Sequence, residues 1–200
     1  MIKALKAFSA LLSYPTAELQ QAAGEISETI EAETAIPVSV RDRLHKLLTE
    51  LAADDIYDLQ ERYTLLFDRT RSLSLHLFEH VHGESRDRGQ AMIDLKAQYE
   101  KANLFMGAAE LPDFLPLFLE FLSTLPAQEA SDMLGQPAHI LAAMAERLRK
   151  RGSSTKPCSV RWSRWRRPNR RNPKLPHYLP CPIRTPTILR RSMQPGRTNR

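Results

Sequence analysis

Apolar residues recur every three or four positions through the first 150 residues of the chain. The first run places Ile2, Leu5, Phe8 and Leu12 on one face, and Pro15 ends it because a residue before proline is pushed out of the helical region. The same period, with no competing strand pattern, continues through residues 17–33, 38–54, 56–68, 75–105, 111–126 and 132–148. The pattern predicts an all-α body of six or more helices joined by short loops.

Particular residues mark the ends of several predicted helices. Thr16 has the side-chain oxygen of an N-cap, so we expect it to cap the helix over residues 17–33. Pro116 is compatible with a helix only in the first turn. Gly135 and Pro137 should break the last helical segment near its beginning.

The helical pattern stops near residue 150, and the composition changes with it. Residues 1–150 carry 15 Lys and Arg against 23 Asp and Glu, a net charge of −8, whereas residues 151–200 carry 14 Lys and Arg and no acid. Both cysteines, both tryptophans and eight of the 14 prolines lie in this second part. Repeated proline and high charge prevent a buried core there. We therefore predict a single helical domain, 1–150, followed by a disordered, non-globular basic tail, 151–200.

Two origins fit this tail. A basic arm could bind nucleic acid, with Trp162, Trp165 and Tyr178 stacking on bases. A frameshift is favoured instead, because the usual codons for residues 157–167, read one base earlier, encode apolar residues nearly throughout. The helical domain would then be truncated. Loss of its last helices should expose the apolar faces that bear Leu141, Met144 and Leu148.

The helical domain carries no signal for export or membrane insertion. It has no cysteine, no stretch of about 18 uninterrupted apolar residues and no signal-peptide pattern. These features favour a cytoplasmic protein without stable membrane insertion.

The most unusual stretch is LHLFEHVHGESRDRGQAM, residues 75–92, which combines three histidines, two glycines and several charges. If the stretch is helical, His76 and His80 share a face, a spacing that can bind zinc. Zinc normally needs three or four converging ligands, so ordinary histidines are the more common explanation. ESRDR can also begin a helix, with Ser85 as the N-cap and Asp87 in the first turn. The stretch still holds more polar groups than a helix–helix turn requires, which indicates a surface for a partner.

Signatures of catalysis are missing from the sequence. No nucleophile elbow, phosphate-binding loop or dinucleotide-binding fingerprint appears, since Gly83 and Gly89 follow no predicted strand. The sequence therefore does not favour an enzyme.

LPDFLPLFLEFLSTLP, residues 111–126, presents a wide apolar face. Most of this face is expected in the core, but it could also line a groove for an amphipathic peptide helix. Its members are Leu111, Leu115, Phe118, Leu119 and Leu122.

Two segments resemble a known family. They are YTLLFDRTRSLSLHLFEHVHGESRDRGQAMIDLKAQYEKANL, residues 63–104, and ELPDFLPLFLEFLSTLP, residues 110–126. Both are similar to signatures of the NarJ family, the assembly chaperones of respiratory nitrate reductase within the wider TorD-like group. The resemblance runs from the first helix to about Arg149 and implies an all-helical chaperone domain of the TorD-like type, without a cofactor.

The resemblance also implies a function. Such a chaperone binds the N-terminal segment of the apo catalytic (alpha) subunit of nitrate reductase and holds it in the cytoplasm. It permits molybdenum-cofactor insertion before the enzyme docks at the membrane. Neither a nucleic-acid partner nor stable membrane insertion is implied.

Matching the family motifs to this chain, together with the apolar face, predicts a client-peptide-binding site. Its residues are Phe78, Glu79, His80, His82, Gly83, Glu84, Ser85, Arg86, Asp87, Arg88, Leu111, Pro112, Asp113, Leu115 and Leu119. Phe114 departs from the family pattern, in which a histidine usually follows this Pro-Asp pair. The basic tail is a second departure, because the family continues with more helix and an acidic tail.

One alternative of a different class stays open at this point. A helical protein could bind a metal through His76, His80 and His82, or nucleic acid through the basic tail.

Overall fold

The computed structural model describes residues 2–80, 87–107 and 110–152, and the backbone of residues 190–191. Within these residues the chain forms nine α-helices. They are α1 (Ile2–Leu11), α2 (Ala17–Gln21), α3 (Ala23–Glu31), α4 (Val38–Ala53), α5 (Ile56–Tyr63), α6 (Asp87–Lys101), α7 (Leu115–Leu122), α8 (Ala127–Gly135) and α9 (Ala138–Arg151). The predicted all-α fold class is confirmed.

Several helix ends lie where the sequence predicted them. The Thr16 hydroxyl oxygen accepts a hydrogen bond from the Leu19 backbone N–H at 3.2 Å and caps α2. Pro116 lies in the first turn of α7, and α8 ends at Gly135 before α9 begins. The helix expected over residues 17–33 is instead divided at Ala22 into α2 and α3.

The chain between α5 and α6 is not the regular α-helix that the hydrophobic period predicted. It contains a π-helix at Thr64–Asp68 and 3₁₀ helices at Arg71–Leu73 and Leu77–His80. α6 begins only at Asp87. The prediction of helix from residue 75 onward is therefore wrong for residues 75 and 76, and the turn that follows them is a 3₁₀ helix.

Backbone hydrogen bonds to a distant segment explain this difference. The Leu77 N–H donates to the Asp113 carbonyl at 3.0 Å, and the Leu115 N–H donates to the Leu75 carbonyl at 2.8 Å. Groups committed to this pairing cannot also form the bonds of an α-helix. A local pattern of apolar positions contains no information about such a partner.

α7 lies in the core. Seven of its eight residues are buried, so the helix is covered on all sides. It packs against α1, where the buried Ser9 hydroxyl donates to the Pro116 carbonyl at 2.7 Å. Although α7 is strongly apolar, none of the helices in the described residues is long and apolar enough to cross a membrane.

The burial of α7 corrects the groove expected from the sequence. Leu115 and Leu119 are only 2% and 0% exposed. They lie in the core and not on an open groove, because the neighbouring parts of the chain cover the face that the sequence alone left available to a peptide.

α9 is also packed on its apolar side. Leu141, Met144 and Leu148 are all buried, and α9 contacts the 3₁₀ helix at Arg71–Leu73. The expectation that these three residues would be exposed is therefore wrong, because other described residues already cover them.

One short strand pair interrupts the helical architecture. Leu104–Phe105 form β1, which pairs antiparallel with Arg190–Arg191, β2, with Leu104 opposite Arg191. Asn103 precedes β1 with a φ of 57°, a left-handed conformation that asparagine tolerates better than most residues. The helix predicted over residues 75–105 is therefore wrong for Leu104 and Phe105, which form this strand. The predicted disorder of the tail concerns residues that otherwise lie outside the described part of the chain.

The position of α7 generates a stability prediction. Leu119→Ala should lower the free energy of unfolding by about 2–5 kcal/mol, because it removes a fully buried side chain and leaves a cavity. The control is Leu65→Ala, at a leucine that is 48% exposed, with an expected change of about 0.5 kcal/mol or less. Urea unfolding followed by circular dichroism measures both. An equal loss of unfolding free energy in the two variants would contradict the core position of α7.

Candidate functional site

The two segments that carry the polar motifs meet in the folded chain. His76 forms an isolated antiparallel bridge with Phe114, in the loop before α7. Their rings also pack together, with centroids 5.1 Å apart and planes inclined at 33°. The two motifs are therefore parts of one structure.

Asp113 links the two segments through its side chain, which is fully buried. Its Oδ1 accepts a hydrogen bond from His76 Nδ1–H at 3.3 Å, and its Oδ2 accepts one from the Phe78 backbone N–H at 3.0 Å. A carboxylate removed from water is strongly destabilising unless such donors surround it. Asp113 thus fixes both the ring of His76 and the start of the turn Leu77–His80.

His80 is held by the same segment. Its side chain is half-buried, and Nε2–H donates to the Ser74 carbonyl at 2.8 Å. Burial lowers the pKa of His80 below its usual value, and the positive charge of Arg147 acts in the same direction. The bond to Ser74 and the carboxylates of Glu79 and Asp113 oppose this effect without reversing it. The ring is therefore mainly neutral at pH 7.

Two other ionisable residues interact with this arrangement. The Tyr99 hydroxyl, carried by α6, donates to the Pro112 carbonyl at 2.6 Å. Burial raises the pKa of Tyr99 well above its usual value, and the Asp113 charge adds to this effect, so the phenol keeps its proton. Burial also raises the pKa of Asp68, and the influence of His76 partly offsets that increase. α6 is thus tied to the residue that precedes Asp113.

His76 and His80 do not have the arrangement that a metal site on one helical face would require. His76 and His80 are not on one helical face, because His76 lies in the backbone bridge and His80 ends a 3₁₀ helix. Their ring nitrogens engage Asp113 and Ser74, respectively. Among the residues that the structure describes, no group of three His, Cys, Asp or Glu side chains could hold a metal ion. His82 lies outside those residues.

The other residues of the predicted site have different environments. Those that are buried around the bridge are Phe78, Pro112 and Asp113. Those that are half-buried are Glu79, His80, Arg88 and Leu111. Asp87 is exposed in the first turn of α6, as the sequence predicted. Five predicted residues lie outside the described part of the chain: His82, Gly83, Glu84, Ser85 and Arg86.

Sequence reasoning missed three residues that hold this site. Ser74 and Tyr99 act through bonds to or from backbone carbonyls. Arg147 in α9 donates from Nη1 to the Ser72 carbonyl at 2.7 Å. Bonds to backbone groups leave no complementary side chain in the sequence, so no motif could have found them.

A surface pocket lies beside the π-helix, away from the predicted site residues. Its volume is about 230 Å³. Its lining combines one acid and one base with uncharged polar and apolar groups, and consists of Tyr14, Gln60, Glu61, Thr64, Leu65 and Arg69. None of these belongs to the predicted client-binding set.

The fold has a counterpart among solved structures. A crystal structure from Archaeoglobus fulgidus, of a protein provisionally described as a redox enzyme maturation protein, superposes with a TM-score of 0.59. The likeness covers 82% of this chain and 93% of that one at 21% identity. The fold is therefore of the same helical class as that maturation protein.

Sequence comparisons identify the family. Residues 15–154 match the profile of the nitrate reductase delta subunit family. The chain is 50% identical over 145 residues to the nitrate reductase molybdenum cofactor assembly chaperone NarJ of Escherichia coli K12, covering 72% of this chain and 61% of that protein. It is 30% identical over 150 residues to a NarJ-type relative from Bacillus subtilis, covering 74% of this chain and 79% of the relative. The chain belongs to the nitrate reductase delta subunit family, which confirms the resemblance inferred from its motifs.

The buried carboxylate generates a prediction for Asp113→Asn. The amide has the same shape but presents an N–H group where the carboxylate oxygen accepted a hydrogen bond, so the free energy of unfolding should fall by about 1–3 kcal/mol. Asp132→Asn is the control, because Asp132 is exposed and accepts from Gln128 on the same helix. Urea titrations of the two variants test this. An Asp113→Asn protein as stable as the control would contradict the linking role of the carboxylate.

The lowered pKa of His80 generates a pH prediction. Unfolded histidine titrates near pH 6.5, at about its reference pKa. The folded state resists protonation of His80, so stability should fall as the pH is lowered through that value toward the folded pKa. His80→Gln should show a smaller fall, whereas His139→Gln, at an exposed histidine, serves as the control. Thermal unfolding between pH 7.5 and 5 is the measurement. The same pH slope in wild type and His80→Gln would refute this assignment.

Proposed function

We propose that this protein is a cytoplasmic assembly chaperone for a nitrate reductase. It binds the N-terminal segment of the apo catalytic subunit and permits molybdenum-cofactor insertion before the enzyme docks at the membrane. The chaperone acts by binding and does not itself catalyse a reaction or carry the cofactor.

The observation that carries this proposal is the 50% identity over 145 residues to the E. coli chaperone. The relatives compared above are named as molybdenum cofactor assembly chaperones, which is a binding function. The chain spans 61% of the E. coli relative's length, so the function is inferred for the matched part.

The proposal assigns client binding to residues 1–150. The family match ends at residue 154, close to the boundary that the change in composition predicts at residue 150. The net charge of this part is negative, whereas residues 151–200 are strongly basic. The tail is therefore given no part in client recognition.

The accessible part of the predicted site supports a polar contact with the client. Glu79 and His80 end the 3₁₀ helix on one side of residues 81–86, and Asp87 and Arg88 begin α6 on the other. These side chains are half-buried or exposed. They offer two carboxylates, a guanidinium and an imidazole, which can bond the backbone and polar side chains of a peptide. Leu115 and Leu119 support the site from within the core.

Peptide binding tests the proposal. The full-length protein should bind a synthetic peptide that copies the N-terminal segment of a nitrate reductase catalytic subunit. Arg88→Ala should weaken binding about tenfold, since the loss of one charged hydrogen bond costs about 1.5 kcal/mol. Arg43→Ala, at an exposed arginine of α4 that donates to Ser39 on the same helix, is the matched control.

Isothermal titration calorimetry distinguishes an error in the proposed function from an error in the location of the site. If the folded wild-type protein does not bind the peptide, the chaperone proposal is wrong. If wild type binds and both arginine variants bind equally well, only the location of the site is wrong. Circular dichroism verifies that each variant is folded.

A further inference from the structure

The last helix of the described body is bonded to the segment that leads into the candidate site. Arg147 Nη1 donates to the Ser72 carbonyl at 2.7 Å, across 75 positions of sequence. One turn later, Arg151 Nη1 donates to the Thr70 hydroxyl at 2.9 Å. α9 therefore supplies two guanidinium groups to residues 70–72. This segment lies shortly before His76, which forms the backbone bridge to Phe114.

These contacts continue into the site through the backbone. The Ser74 carbonyl, two residues after Ser72, accepts the bond from His80 Nε2–H. Leu73 between them is fully buried. Because a single residue separates Ser72 from Ser74, we expect a shift of Ser72 to displace the acceptor that orients the imidazole of His80. The turn Leu77–His80 is thus held from two sides. Arg147 bonds the segment before it, and Asp113 bonds its Phe78 N–H.

We propose that Arg147 is a positioning residue for client binding: it holds the Ser72 carbonyl from α9 and thereby fixes the turn Leu77–His80, which presents Glu79 and His80. This inference rests on the proposed function, because it concerns the same site. Arg147 would not itself need to touch the peptide.

The contact is suited to positioning more than to global stability. Arg147 is exposed, and hydrogen bonds from exposed charged side chains add little to the free energy of unfolding. A guanidinium bonded to a neutral carbonyl is nevertheless directional and charge-assisted. Its loss should loosen one segment while the helices remain folded.

The chain offers a matched control on the same helix. Arg149 is also exposed, but its guanidinium pairs with Glu146 within α9, at 2.8 and 2.6 Å. Arg147→Gln and Arg149→Gln remove the same charge from the same helix, and only the first breaks a contact to residues 70–80. Arg147→Lys keeps the charge and can still donate a hydrogen bond, without the planar guanidinium geometry.

The experiment uses the full-length protein and two measurements. Without peptide, amide hydrogen exchange of residues 73–80 should become about tenfold faster in Arg147→Gln and stay within twofold of wild type in Arg149→Gln. With the catalytic-subunit peptide, Arg147→Gln should weaken binding by about fivefold to tenfold, with partial recovery in Arg147→Lys. The pKa of His80, measured by NMR, should rise in Arg147→Gln because the nearby positive charge is removed.

Each result decides the inference. Unchanged exchange in Arg147→Gln, or faster exchange with unchanged peptide affinity, would overturn the positioning role. If wild type binds no peptide, the proposed function fails and the role in client binding fails with it, whereas the exchange data still show whether α9 holds the turn. Equal weakening by Arg147→Gln and Arg149→Gln would reduce the effect to net charge and also overturn the inference.

Discussion

The arrangement of the site depends on a single buried carboxylate. Asp113 is surrounded by protein, so its charge must be balanced by donors in fixed positions. The His76 ring and the Phe78 backbone supply them, 37 and 35 positions away in sequence. These two hydrogen bonds therefore hold the polar segment before residue 81 and the loop before α7 in a fixed arrangement around the carboxylate. Hydrophobic packing in the core does not impose the same geometric constraint, since it is not directional.

The sequence predicted what depends on local pattern. The period of three and four residues located the helical regions, and Thr16 and Pro116 marked helix starts, because caps and prolines act within one turn. It did not predict that α7 would be covered on all sides, since the amount of cover depends on the helices around it. It also treated residues 75–80 as regular helix, because the bonds that prevent an α-helix there come from residues 113 and 115.

The fold brings some of the predicted site residues together and leaves others in the core. The motifs led to Phe78, His80 and Asp113, which the fold brings together. Which of them are accessible could not be deduced, because burial is a property of the whole fold. Tyr99 and Arg147 carried no signal at all, since each bonds a backbone carbonyl that every residue type possesses. A resemblance between sequences identifies the residues of a motif, but it does not show which of them are buried and which are accessible to a partner.

The bridge between Leu77 and Asp113 places the two ends of residues 78–112 side by side. This part of the chain, which includes α6 and β1, contributes Ala91, Leu95, Tyr99 and Leu104 to the buried core. Substitutions at exposed positions usually change the free energy of unfolding by no more than about 0.5 kcal/mol. In evolution, the outer surface of this region can therefore change while its buried residues and the contact between His76 and Asp113 at its base stay fixed.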